Sequence, residues 1–156
     1  MSKEKTCMFT GHRMLGKDFS FDKLYKTVIK LIEKRNVDTF ICGGALGFDT
    51  QASIAVLNAK KAGYNVQLHI YAPCNNQSEK WSSQDKALYE EILKEADYVD
   101  MVDMPYFDGC MKNRNYKMVD NSAFCLCYYN GRPSGTGQTV RYATKQGLEI
   151  GNLYNN

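Results

Sequence analysis

The sequence has few of the residues that build metal sites and disulfide frameworks. It contains two histidines, and its six cysteines form no Cys-x-x-Cys pair, so a zinc site is not expected. Most of the cysteines lie in apolar runs, where a free thiol packs as a small hydrophobic group. These features predict a reduced, cytoplasmic setting and a fold that needs neither a metal nor another cofactor.

Long apolar runs and a strong charge bias are also missing. No run of about 20 apolar residues is present, and residues 1–5 carry no apolar signal region. A formal net charge of +3 is too small to indicate a nucleic-acid partner by itself. The sequence therefore predicts no membrane association. The 156 residues, 44% of them hydrophobic, suffice for one domain, 1–156, that buries a core without disulfides.

The most informative stretch runs from Phe40 to Asp49 and reads FICGGALGFD. The apolar run over residues 39–42 predicts a buried strand, which two glycines interrupt before a helical pattern begins near Asp49. Such a turn exposes backbone N–H groups, and the helix dipole adds partial positive charge, so a phosphate is the expected ligand. The same sequence pattern also serves as a tight turn without any ligand.

Strand-like and helix-like patterns alternate along the chain. Apolar runs predict strands over residues 5–10, 39–42, 66–72, 98–102 and 123–129, with an edge strand over 148–153. Helical periodicity predicts helices over residues 22–36, 49–62, 83–96 and 138–146, with a short helical segment around Arg114. In the third helix, Leu88, Ile92 and Leu93 are expected to face inward. This alternation predicts an α/β protein, a Rossmann-like three-layer parallel sheet with helices on both faces.

In such sheets ligands bind beyond the carboxyl ends of the strands. An arginine at this edge suits bidentate phosphate binding, and a tryptophan there can stack on a base. Each candidate also has a structural alternative, such as helix capping for Asp49 or Thr136 and core packing for Trp81. The candidate ligand-binding residues are Gly11, His12, Arg13, Gly43, Gly44, Ala45, Leu46, Gly47, Asp49, Gln77, Trp81, Arg114, Asn130, Gly131, Arg132, Ser134, Gly135, Thr136, Gly137 and Thr139.

Four motifs occur in a specific order over nearly the full chain. They are CMFTGHR at residues 7–13, GGALGFD at 43–49, RN at 114–115 with MVD at 118–120, and YNGR at 129–132 followed by Gly135-Thr136. In this combination the chain resembles the YpsA-like (DUF1273) family of the SLOG superfamily of Rossmann-like domains. The resemblance implies a nucleotide-derived ligand, of the ADP-ribose, nucleoside-phosphate or cyclic signalling type, and a homo-oligomer paired through helices.

The enzymes of this superfamily provide a comparison for catalysis. Lonely Guy phosphoribohydrolases cleave an N-glycosidic bond with an arginine and a glutamate; Arg114 stands where that arginine would be. The position of the glutamate is taken by Thr139, whose hydroxyl cannot replace a carboxylate as an acid or base near neutral pH. The resemblance thus favours no catalytic residue, although Asp49 or Asp120 remains as a substitute carboxylate.

Three functions follow from the resemblance, in decreasing order of support. The first is binding of a nucleotide-derived molecule without efficient turnover, as a sensor or as a sequestering, anti-defence protein that removes a signal; the sequestering role suits a chain without a second domain. The second is a Lonely Guy-like nucleotide N-glycosidase, which Thr139 opposes. The third is DNA binding like that of DprA, which the near-neutral charge opposes, so a nucleic-acid partner is not expected.

Overall fold

The computed structural model describes residues 1–154 and contains an alternating series of strands and helices. A short 3₁₀ turn, Lys3–Lys5, precedes the first strand. The elements are β1 (Thr6–Gly11), α1 (Phe21–Arg35), β2 (Thr39–Cys42), α2 (Phe48–Lys61), β3 (Gln67–Ala72), α3 (Ser83–Glu95), β4 (Tyr98–Met101), α4 (Cys110–Asp120), β5 (Phe124–Tyr128), α5 (Gly135–Lys145) and β6 (Glu149–Asn152).

The six strands form one parallel sheet in the order β4-β3-β2-β1-β5-β6. The chain builds outward from β1 to β4, then crosses back through α4 to place β5 on the other side of β1. Because parallel crossovers are right-handed, this reversal puts α1, α2 and α3 on one face and α4 and α5 on the other. The predicted Rossmann-like three-layer α/β fold is confirmed, and its strand order reverses between β1 and β5.

Alternate residues of each central strand supply two separate cores. Phe9 and Phe40 point to the face covered by α1 and α2, where their rings stack with centroids 5.4 Å apart. Met8 and Ile41 point to the opposite face and pack with the apolar side of α4 and α5. The strands are buried on both faces, which explains why they appear in the sequence as continuous apolar runs.

Two predictions about the helices are wrong, for local reasons. Leu88 is 39% exposed, and Tyr89 takes the inward position beside Ile92, so the inward face of α3 is shifted by one residue. Helix α5 begins at Gly135 rather than near Gln138, because the hydroxyl of Ser134 accepts the N–H of Gly137 and caps the helix. The capping residue is therefore Ser134 and not Thr136. Across residues 1–154, no helix combines the length and apolarity that crossing a membrane requires.

Candidate functional site

The loops that follow β1, β2 and β5 form one continuous surface at the carboxyl edge of the sheet. The N–H of His12 donates to Tyr128 O at 3.2 Å, and His12 O accepts the N–H of Phe48 at 3.1 Å. The N–H of Asn130 donates to Nε2 of His12 at 2.9 Å. His12 thus joins the ends of three strands through its backbone and its ring, and Nε2 serves as an acceptor.

Glycines make the close packing of these loops sterically possible. Gly47 has a φ of 81°, and a Cβ there would lie 2.2 Å from the carbonyl oxygen of Arg13. A Cβ on Gly11 would lie 2.5 Å from the ring of Phe48, and one on Gly43 would lie 2.6 Å from the guanidinium of Arg114. At Gly11 and Gly47 the absence of a side chain serves chain packing, whereas at Gly43 it makes room for a charged group.

The Gly47→Ala substitution is expected to destabilise the protein strongly. Gly63 provides a matched control, because its φ is 100° and a Cβ there meets nothing within 4 Å. Both substitutions place alanine at positive φ, which costs about 1 kcal/mol, but only Gly47→Ala also forces backbone atoms apart. We expect Gly47→Ala to lower the free energy of unfolding by at least about 2 kcal/mol more than Gly63→Ala in urea titrations. Equal losses would show that the contact with Arg13 relaxes freely.

Arg114 is the most deeply buried cation of the edge. It lies one turn into α4, is 8% exposed, and donates from Nη1 to Gly43 O at 2.5 Å and to Tyr71 O at 3.2 Å. Its Nε donates to Asn115 at 2.7 Å, while the acceptor near Nη2 is the thioether of Met111 at 3.7 Å. Within residues 1–154, no carboxylate oxygen lies within 4.0 Å of this guanidinium. Nη2 therefore holds donor capacity that a weak thioether acceptor does not use.

Asp49 lies near Arg114 and closes the glycine-rich turn. Its Oδ2 accepts the N–H of Ala45 at 3.1 Å, while its Oδ1 is buried and has no hydrogen-bond partner. The side chain is 6% exposed. Burial raises the pKa of Asp49 from 3.8 to about 6, against the opposing effect of the positive charge on Arg114. Asp49 braces the turn instead of capping α2, because the N-cap position belongs to Gly47.

The loop after β3 completes the surroundings of Arg114. Nε2 of Gln77 donates to Gly43 O at 3.3 Å and to the hydroxyl of Tyr89 at 3.2 Å. Trp81 packs edge-on against Tyr89 with ring centroids 5.2 Å apart. Beside Gln77 lies a cavity of about 340 Å³. We call it the Arg114 cavity, because Met111 lines it and also contacts the guanidinium of Arg114 through its sulfur. It is lined by Cys74, Asn76, Gln77, Glu79, Lys80, Tyr106 and Met111.

A second concavity lies where the strand order reverses. This switch-point crevice has a volume of about 420 Å³ and is lined by His12, Arg13, Met14, Leu15, Gly16, Asn130 and Tyr154. The start of α5 follows from the same strand, β5, and its Thr136 and Gly137 are buried. Among the candidate residues between β5 and the first turn of α5, Gly131, Arg132, Ser134 and Gly135 are exposed. Ala45 and Leu46 of the glycine-rich turn are half-buried.

Two polar residues considered at the sequence level have other contacts. Thr139 is fully buried, and its hydroxyl donates to Gly135 O of its own helix at 3.0 Å. Asp120 ends α4 just before β5 begins, so it lies at the amino edge of the sheet, where it accepts the hydroxyl of Tyr142 at 2.7 Å. Asp120 is thus excluded as the substitute carboxylate, and Asp49 is the acidic group that lies near Arg114.

Of the seven described residues that line the Arg114 cavity, only Gln77 is among the candidates from the sequence; the six others, and Tyr89, which holds Gln77, are not. Tyr89 was detectable, because it lies next to Leu88 in a helical pattern that tolerates a shift of one position. The lining residues come from the loop after β3, from the irregular connection before α4 and from the first turn of α4, and only the folded chain brings these three segments together.

The comparisons with known proteins agree with this architecture. The family model described as the YspA SLOG family matches residues 20–152. The chain is 32% identical over 136 residues to the uncharacterized SPbeta prophage-derived protein YoqJ of Bacillus subtilis, covering 80% of each chain. It is 25% identical over 139 residues to a UPF0398 protein of Halalkalibacterium halodurans, covering 87% of this chain and 73% of that protein.

Solved structures of DNA processing protein A have a similar fold. The protein from Helicobacter pylori, whose structure concerns its single-stranded DNA binding mode, superimposes with a TM-score of 0.72 at 18% identity, covering 99% of this chain and 67% of that one. The protein from Streptococcus pneumoniae gives 0.69 at 18% identity, and the present chain spans 52% of it. At this identity the likeness establishes the fold alone. The family model, which matches residues 20–152, shows that the chain belongs to the YspA SLOG family.

Proposed function

We propose that this protein binds an anionic, nucleotide-derived small molecule at the carboxyl edge of its sheet and holds it without efficient turnover. The observation that carries the proposal is the buried guanidinium of Arg114, which has no carboxylate within 4.0 Å among the described residues. Burying a cation without an anion in hydrogen-bond contact is costly, and Asp49 acts on Arg114 only from a longer distance. A phosphate that accepts from Nη2 supplies the missing charge and turns that cost into binding energy.

The proposed ligand extends along the edge between the two concavities. Strands β5, β1, β2 and β3 are consecutive neighbours, so the start of α5 and the Arg114 cavity lie about three strand spacings, or about 14 Å, apart. A base, a ribose and a phosphate joined in an extended conformation suit such a path. We propose that His12, Arg13 and Asn130 line one end of this path and that Gln77 and Arg114 line the other.

The lack of efficient turnover is supported by what the acidic and hydroxyl groups contact. The hydroxyl of Thr139 is occupied by Gly135 O, and Asp120 lies at the opposite edge of the sheet. Release of an intact ligand suits either a sensor or a sequestering protein. The two roles differ in kinetics, because sequestration requires slow dissociation and a sensor requires exchange on the timescale of its signal.

Thermal unfolding in the presence of matched ligand pairs tests the proposal. We expect nucleoside monophosphates and ADP-ribose to raise the midpoint of unfolding and the parent nucleosides to leave it unchanged. A ligand at 100 times its Kd stabilises the folded state by about 2.7 kcal/mol, which is readily measured. Equal stabilisation by a nucleoside and its phosphate would remove the role given to Arg114, and no stabilisation by any member of the panel would overturn the proposal.

One observation favours a second candidate function, nucleotide N-glycosidase activity. Asp49, with its pKa raised to about 6, lies near Arg114, and a carboxyl group with such a pKa can donate a proton near neutral pH. Its burial and its bond to Ala45 count against direct contact with a substrate. Chromatography of nucleoside monophosphates incubated with the protein separates the candidates. Free base formed over many turnovers, and lost in Asp49→Asn, would favour the enzyme.

Single-stranded DNA is the competing partner suggested by the fold neighbours. DNA binding depends steeply on salt, because each phosphate contact releases counterions. Because the formal net charge is only +3, we expect this protein to associate weakly with an oligonucleotide. Tight association that falls by orders of magnitude between low and physiological salt would favour DNA over a small molecule.

A further inference from the structure

The Arg114 cavity has a single aromatic residue in its described lining, Tyr106. Tyr106 is 59% exposed, and within residues 1–154 its ring stacks on no other aromatic ring and its hydroxyl has no hydrogen-bond partner. Trp81, the other candidate for stacking, lies outside this lining and packs edge-on against Tyr89. The aromatic surface that this cavity offers to a ligand is therefore the ring of Tyr106.

The segment that carries Tyr106 is held in place by two asparagines of the loop after β3. The side chain of Asn76 accepts the N–H of Tyr106 at 2.8 Å and donates to Glu79 Oε2 at 3.2 Å. The N–H of Asn75 donates to Met104 O at 2.8 Å. These bonds fix the backbone on which the exposed ring is mounted. A ligand that stacks on a preorganised ring loses little free energy to the ordering of the protein.

The cavity lies next to the proposed position of the phosphate. Met111 lines the cavity, and its sulfur lies 3.7 Å from Nη2 of Arg114, the donor assigned above to a phosphate. The volume of about 340 Å³ lies within the range of about 300–1,000 Å³ that is usual for small-molecule sites. A base in this cavity and a phosphate at Nη2 can therefore belong to the same nucleotide.

We propose that Tyr106 stacks on the nucleobase of the ligand, so that the Arg114 cavity is the base subsite. The inference rests on the proposed function, which leaves open which end of the path holds the base. Every nucleobase has a π-face that stacks on a tyrosine ring, so Tyr106 selects ligands that carry a base without selecting one base. The remainder of a longer ligand, such as ADP-ribose, then extends toward the start of α5.

Isothermal titration with adenosine monophosphate and with ribose 5-phosphate tests the assignment, because the two differ in whether C1 of the ribose carries adenine or a hydroxyl group. We expect the wild type to bind the nucleotide at least about 10-fold more tightly than the sugar phosphate. Tyr106→Ala should weaken nucleotide binding by at least about 10-fold and change the affinity for ribose 5-phosphate by less than about 2-fold. Tyr106→Phe keeps the ring and should keep both affinities.

Tyr98→Ala is the matched control, since Tyr98 is 50% exposed and is not among the residues that line the cavity; both affinities should stay unchanged. A Tyr106→Ala variant that keeps its nucleotide affinity, or that loses both ligands equally, would overturn the base subsite while phosphate binding at Arg114 stands. Equal losses in Tyr98→Ala and Tyr106→Ala would do the same. Binding of neither ligand by the wild type would also overturn this inference, and the proposed function falls with it only if the wider panel of nucleoside phosphates fails too.

Discussion

Replacing Arg114 with methionine is expected to weaken the binding of nucleoside phosphates by about 100-fold or more. Hydrogen bonds to a charged group are worth about 1.5–3 kcal/mol each, and a phosphate at Nη2 loses its charge-assisted contacts when the guanidinium is removed. Methionine fills a similar volume without a charge. The free energy of unfolding without ligand should change by no more than about 2 kcal/mol, because the lost hydrogen bonds are offset by relief of an unpaired buried charge.

Two further variants make the Arg114 result specific. Lys112→Met removes a positive charge from the exposed surface of the same helix, and we expect it to change the affinity less than about 3-fold, as is usual for a screened surface charge. Arg114→Lys keeps the charge but loses the planar fork, so it should retain part of the affinity. Isothermal titration with one phosphate ligand measures all three. Unchanged affinity in Arg114→Met, in a protein that is folded, would exclude the guanidinium from the site.

Replacing Asp49 with asparagine is expected to stabilise the free protein by about 3 kcal/mol at neutral pH. The pKa of Asp49 is raised from 3.8 to about 6 by burial, and each unit of difference corresponds to about 1.4 kcal/mol. Folding therefore favours the protonated carboxyl group. The protonated Asp49 therefore contributes stability that is fully present below about pH 4. This contribution is lost as the pH rises through about 6, so the wild type becomes less stable toward neutral pH. Asparagine stays neutral and can still accept the N–H of Ala45.

Urea denaturation of the two proteins between about pH 4 and pH 7.5 tests this prediction. The difference between them isolates Asp49 from other titrating groups; it should be small at the acidic end and reach its full value above about pH 7. A constant difference across this range would mean that Asp49 does not titrate within it. A wild type that is more stable than the variant at neutral pH would mean that Asp49 is held ionised, with Arg114 outweighing the effect of burial.

Much of the fold could be predicted, because the patterns that indicate strands and helices depend on residues that are close together in the sequence. The strand over residues 39–42 is observed with the predicted bounds, since a short apolar run followed by two glycines leaves little alternative. The start of α5 was misplaced because a single hydroxyl, that of Ser134, extends the helix by a turn. The prediction that Leu88 faces inward is wrong because α3 has many charged residues and few apolar ones, so its sequence defines the buried face weakly.

In the candidate site, the glycines that follow the strands could be located from the sequence, whereas contacts between residues that are distant in the chain could not. Gly43 and Arg114 are 71 positions apart, yet the missing side chain of one makes room for the guanidinium of the other. An arginine in a polar helix would also suit a surface salt bridge, but Arg114 is buried and has no carboxylate oxygen within 4.0 Å among residues 1–154. Tyr106 lies in the irregular connection between β4 and α4, which carries no periodic signal, and Met111 lies in the first turn of α4.

Native mass spectrometry of the wild type and of Arg114→Met tests the central claim most directly. Each protein is incubated with nucleoside phosphates, NAD, ADP-ribose and its cyclic isomers, and the small molecules released on denaturation are identified. We expect one unaltered phosphate-bearing ligand per wild-type chain and none on the variant. Equal loading of both proteins, or recovery of free base in place of the intact ligand, would contradict it.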